Sequence, residues 1–165
     1  MIERLRAGIE AIGPVRTAFV CSLLLSAFAV WNAPLLNRDG MFYVEWAQDI
    51  VDHGLAGAMQ YGLLLAMLPA AIAAVGALTT LSLEAAAYLL NALLMAGACG
   101  LLVAIVRRRL PEAAWIACLV VLAMPGYNEY RSQVLREYGL WFFGVLALWV
   151  AMRWEASGRW REALA

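Results

Sequence analysis

Residues 85–106 are 22 consecutive positions without a charged side chain, and Asn91 carries their one side-chain amide. As a helix at about 1.5 Å per residue the run covers roughly 33 Å, the thickness of a bilayer's hydrocarbon core. Such a stretch has few soluble solutions, because a small domain cannot cover it on every side. In lipid its backbone polar groups must pair within the segment, which selects helix. Four more apolar runs follow the same logic, at 17–36, 59–81, 110–127 and 138–154, with Glu112 and Arg153 the charged residues within them. The composition agrees: 65% of the 165 residues are hydrophobic, against roughly 45–50% in a soluble domain, and mean hydropathy is +0.76. The expected fold is an all-α, polytopic membrane helix bundle forming a single domain over 1–165. The run at 17–36 is too long for a simple signal peptide and no small-residue cleavage site follows it.

Charge and residue inventory exclude several functions. Twelve basic and twelve acidic residues cancel, and every basic residue is Arg, so there is no basic face for nucleic acid. Cys21, Cys99 and Cys118 each lie in an apolar run, as small hydrophobes do, and His53 is the only histidine. That inventory gives no disulfide framework, no His-rich metal cage and no Ser, Cys or His nucleophile triad.

Arginine placement tests the topology independently, because Arg concentrates in cytoplasmic loops. If all five runs cross and the N-terminus is cytoplasmic, Arg38, Arg107, Arg108, Arg109, Arg153, Arg159 and Arg161 fall outside, seven of the twelve. If 59–81 instead lies at the outer interface or re-enters, only Arg38, Arg131 and Arg136 are outside. The second count predicts four spanning helices, at 17–36, 85–106, 110–127 and 138–154, with both termini cytoplasmic. Gly62, Pro69 and Gly76 make 59–81 the natural segment to be irregular.

This topology gathers two polar segments outside. The first, residues 38–54, reads as an interfacial amphipathic helix over 40–53, with Asp39 able to cap it and Gly54 placed to end it. Glu45, Gln48, Asp49 and Asp52 form its polar face, and Phe42, Tyr43, Trp46, Ala47 and Ile50 the other. The second, residues 126–137, follows Pro125 and holds Glu129, Arg131, Arg136 and Glu137 at the surface. If the two converge, Asp39 and Glu137 are carboxylates of one cleft, and Arg131, Arg136 and Arg38 are guanidinium forks for a phosphate. His53 at the helix end can also reach a phosphate, or is simply a solvated helix-end residue. The cluster suits a phosphorylated lipid carrier with a phosphate leaving group and a general base for the acceptor. The same charges also fit ordinary ion pairs capping helix ends at an interface. Asn91 reads as an interhelical hydrogen-bond partner, and Ala92, Ala96 and Gly100 as a small-residue packing ridge. Arg107, Arg108 and Arg109 read as a topology anchor.

Two short motifs add to this: RDG-x-x-Y-x-x-x-A, carried by Arg38, Asp39, Gly40, Tyr43 and Ala47 with Gly54 behind it, and V-L-R-E at Val134, Leu135, Arg136 and Glu137. With the hydrophobic first helix and a later helix ending in arginines, they resemble the N-terminal part of C-type glycosyltransferases, in the protein-mannosyltransferase-like and aminoarabinose-transferase-like branches. The resemblance implies transfer of a sugar from a polyprenyl-phosphate carrier to an acceptor on the outer face of a bacterial inner membrane. It places an essential acid of the first outer loop on Asp39 and a second acid, opening the fourth span, on Glu137. It makes the apolar stretch after the first loop juxtamembrane, and it admits a divalent metal without fixing one. Many members have Asp-Glu where this chain has Asp39-Gly40. The Pro-Pro or Lys-Pro before the juxtamembrane stretch is replaced by Ala58, Met59, Gln60 and Tyr61. Members continue with further spanning helices, so the resemblance implies that these 165 residues correspond to an N-terminal module.

Two functions follow as expectations. The first is a membrane glycosyltransferase, or its N-terminal module, using a polyprenyl-phosphate sugar lipid. The alternative is a non-catalytic membrane subunit that binds a polyprenyl lipid or scaffolds a partner subunit. A small transporter fits less well, since there is no internal repeat and no ionisable residue at mid-span.

Overall fold

The computed structural model describes residues 1–32, 36–54, 56–57 and 62–158. Residues 58–61, Arg159 and Arg161 lie outside this set, as do parts of the runs at 17–36 and 59–81. Among the described residues the chain is all-helical, with no strand. The helices are α1 (Ile2–Ile12), α2 (Pro14–Asn32), α3 (Arg38–His53), α4 (Leu63–Thr79), α5 (Leu83–Arg109), α6 (Ala114–Ala123), α7 (Pro125–Asn128) and α8 (Glu137–Ser157), with a 3₁₀ turn at Pro111–Ala113. They divide into two compact units. One comprises Met1–Leu25, Leu94–Glu129 and Glu137–Ala165, and the other Ser26–Leu93 and Tyr130–Arg136.

Small residues set the packing of the first unit. Gly97 and Gly100 lie one turn apart on α5. A methyl group at Gly97 would meet the Phe142 ring of α8 at 2.6 Å, and one at Gly100 would touch the Cβ of Phe19 on α2 at 3.7 Å. Met95, Ala96, Ala98, Cys99 and Val103 are buried beside them. Of the expected ridge Ala92, Ala96 and Gly100, Gly100 meets a neighbouring helix, while the tightest contact falls on Gly97, outside that ridge and one position along from Ala96. α1 packs on α6 through buried Ile9, with the Arg6 guanidinium 5.9 Å from the Trp115 ring centroid. Tyr138, buried at the start of α8, packs edge-on against Trp141, which also meets Tyr127.

The second unit is built on α3, whose buried positions Gly40, Tyr43 and Ala47 follow helical spacing. They join Ile72 and Ala73 of α4, Ala86 and Ala87 of α5, and Val134 in one apolar cluster, flanked by half-buried Val44, Trp46 and Ile50. Phe42 departs from the expected apolar face: it is exposed, stacks on Trp46 and lies under the Arg38 guanidinium. Gly54 ends α3 as expected, at φ 69, its N–H donating to the carbonyl of Ile50 at 2.8 Å.

Among the described residues two helices are long and apolar enough to cross a membrane, α2 with 19 residues and α5 with 27. The run at 59–81 is more regular than its composition suggests, since α4 is helical through Pro69 and Gly76. Its 17 residues cover roughly 25 Å, short of the ~30 Å core. The run at 110–127 divides into a 3₁₀ turn, the ten-residue α6 and the four-residue α7. Pro111 and Pro125 begin the first and last of these pieces, where their missing N–H groups are tolerated. α8 has 21 residues but carries Glu137, Arg153 and Glu155.

The Gly97 contact gives a direct test. Gly97→Ala is expected to cost about 1–3 kcal/mol, because the Phe142 ring must move. Adding Phe142→Leu should recover part of the loss in a double-mutant cycle of detergent unfolding.

Candidate functional site

The beginning of α3 and the segment 130–136 come together in the second unit through backbone and amide groups. Asn37 precedes α3 in extended conformation, and its side chain makes no cap hydrogen bond to the helix. Its Oδ1 instead accepts from the backbone N–H of Val134 at 3.2 Å. Gly40 allows the approach: a Cβ there would lie 2.6 Å from Asn37 Oδ1 and 3.0 Å from Val134 Cβ. On the other side Asn91 of α5, 3% exposed, donates from Nδ2 to the carbonyls of Gln133 and Leu135 at 3.3 and 3.4 Å. The amides of Asn37 and Asn91 thereby supply the pairing that non-helical backbone lacks. Asn91 was expected to bridge helices; it binds loop carbonyls instead, a long-range pairing that α5 alone gives no sign of.

The charged candidates then take distinct places. Arg38 and Asp39 form the exposed first turn of α3. Asp39 therefore stands inside the helix rather than capping it, where a carboxylate is favoured by the positive end of the helix dipole. Arg136 is exposed at the end of segment 130–136. Arg131 differs from both: it is 5% exposed and donates from NH1 to the Ser26 hydroxyl at 3.0 Å. A guanidinium held this way ties the segment to α2. His53 is exposed at the opposite end of α3 from Asp39, about 20 Å along the axis. Glu137 is half-buried as the first residue of α8 and belongs to the first unit.

The structure therefore brings the RDG and V-L-R segments into contact at Gly40 and Val134 and presents Arg38, Asp39 and Arg136 at the surface, while it separates His53 from Asp39. Among the described residues no group of three or more His, Cys, Asp or Glu side chains could hold a metal ion. Ser26 and Asn37 are the contributors that the sequence reading missed. Ser26 is one hydroxyl in an apolar run, 105 positions from its partner, and Asn37 stands just outside the RDG motif.

The Asn37 contact is testable by amide exchange. Asn37→Ala removes the acceptor for the Val134 N–H, worth about 1 kcal/mol, and should speed exchange at that amide about five-fold. Exchange within α5 should stay unchanged. Compared with known proteins, the chain matches no family model, and no curated protein or solved structure was found to match it.

Proposed function

We propose that the chain is a membrane glycosyltransferase module of the C type, moving a sugar from a polyprenyl-phosphate donor to an acceptor on the outer face of the membrane. α2, α5, the 111–128 region and α8 are its four spans, α3 lies in the outer interface, α4 is juxtamembrane, and both termini are cytoplasmic. The observation that carries this reading is the packing of the RDG segment on the V-L-R segment at Gly40 and Val134. Two motifs more than 90 residues apart in sequence are neighbours in the fold, as a shared site requires.

In this mechanism the acceptor attacks the anomeric carbon, and the bond from that carbon to the carrier phosphate breaks with its electrons leaving on the phosphate oxygen. Asp39 takes the acceptor's proton as general base. Arg38 and Arg136, both exposed in the second unit, pair with the phosphate as its charge develops. Arg131, engaged with Ser26, positions the segment that carries Arg136 instead of binding the phosphate.

Asp39→Asn is expected to lower transfer from a polyprenyl-phosphate-linked sugar in membrane vesicles at least about 100-fold, with helicity and insertion unchanged. Transfer at the original rate would overturn the enzymatic reading. Loss of crosslinking to a polyprenyl-phosphate photoprobe in Arg38→Gln/Arg136→Gln would support the phosphate contacts. Crosslinking to the original chain in membranes with no transfer at all would point to a lipid-binding subunit.

A further inference from the structure

The C-terminal end of α5 carries more positive charge than its helix can use. Arg107, Arg108 and Arg109 fill the last turn, where the macrodipole presents only about half a negative charge. Arg153 adds a fourth guanidinium on α8, held over the Trp149 ring at 4.6 Å, while Glu155 is the one acid in the last two turns of that helix. Arg109 meets Glu155 at 3.6 Å with both side chains largely exposed, so the pair is weak and readily exchanged.

These two helix ends enclose an open cavity of about 180 Å³ lined by Arg108, Arg109, Met152, Glu155 and Ala156. That is room for much more than a single water. Met152 and Ala156 are one turn apart on α8 and give the cavity an apolar wall, while two guanidiniums form its polar side. Trp149 and Trp154 mark the same level of α8 as interfacial, the depth at which lipid headgroups lie.

We propose that this cavity binds the phosphate headgroup of an anionic phospholipid, with Arg108 and Arg109 on the phosphate and an acyl chain leaving along Met152. Paired guanidiniums suit a phosphodiester by bidentate donation, and basic pockets between helix ends recognise anionic headgroups in this way. The incoming phosphate displaces the Glu155 carboxylate from Arg109. The site lies within the first unit and uses none of the residues assigned to sugar transfer.

The test uses the full chain in vesicles of phosphatidylcholine mixed with phosphatidylglycerol, extracted and examined by native mass spectrometry. The original chain should retain phosphatidylglycerol over phosphatidylcholine, and Arg108→Gln/Arg109→Gln should weaken retention about thirty-fold. Arg4→Gln/Arg16→Gln removes the same charge away from the cavity and should change retention less than about three-fold. Glu155→Gln should strengthen it. Equal losses in the two double variants, or no preference between the lipids, would overturn the site. Displacement by inorganic phosphate at concentrations matching the lipid would show a soluble-anion site and overturn the lipid assignment.

Discussion

The segment 130–136 pairs little of its own backbone: within it the Gln133 N–H donates to the Tyr130 carbonyl at 2.9 Å, and Val134 turns to a side chain from elsewhere. It lies between α7 and α8, outside any helix, and its groups must find partners in other elements. Two side-chain amides provide them. Asn37 accepts from the Val134 N–H, and Asn91 donates to the carbonyls on either side, at Gln133 and Leu135. Because these hydrogen bonds reach α5 and the residue before α3, the segment is fixed in register against both. The side chain of Val134 then completes the apolar cluster of Tyr43, Ala47 and Ile72. Asp39 is adjacent to buried Gly40, and Arg136 follows Leu135, whose carbonyl accepts from Asn91, so both exposed positions are tied to anchored backbone.

Apolar burial alone would not have fixed the segment. Between apolar helices in lipid the hydrophobic effect offers little discrimination, and close packing and polar contacts decide the arrangement. The first unit uses the packing route, with Gly97 and Gly100 admitting Phe142 and Phe19. The second unit uses the polar route as well, through Asn37, Asn91 and the Arg131–Ser26 hydrogen bond. This also explains why Gly40 stands in the RDG motif. Any side chain at that position would occupy the space taken by the Asn37 amide and Val134.

The sequence made some of this legible. Helical class, the long apolar α5, the amphipathic α3 and its Gly54 terminus follow from run length, periodicity and one turn residue, all local signals. Length and continuity of the other runs did not, because hydropathy counts apolar residues without weighing what prolines do to helix geometry. Pro111 and Pro125 frame a run that becomes three pieces, while Pro69 stays within an unbroken α4. The site was legible as two motifs but not as a contact. Val134 looked like one more apolar residue, and the roles of Asn37, Asn91 and Ser26 depend on partners 97, 42 and 105 positions away.

Arginine is where local reading and structure diverge most usefully. Twelve arginines without a single lysine read as topology anchors and, at Arg38, Arg131 and Arg136, as forks for a phosphate, yet the side chains divide by environment. Arg131 is buried on a hydroxyl, Arg38 lies over an aromatic ring in the first turn of α3, and Arg109 faces a carboxylate across a cavity. A planar guanidinium serves all three settings because it can donate in several directions while stacking on an apolar surface, which an ammonium does poorly. Burial then separates structure from chemistry. A guanidinium enclosed in the protein, as Arg131 is on the Ser26 hydroxyl, fixes a segment, whereas Arg38 in the first turn of α3 stays at the surface over the Phe42 ring.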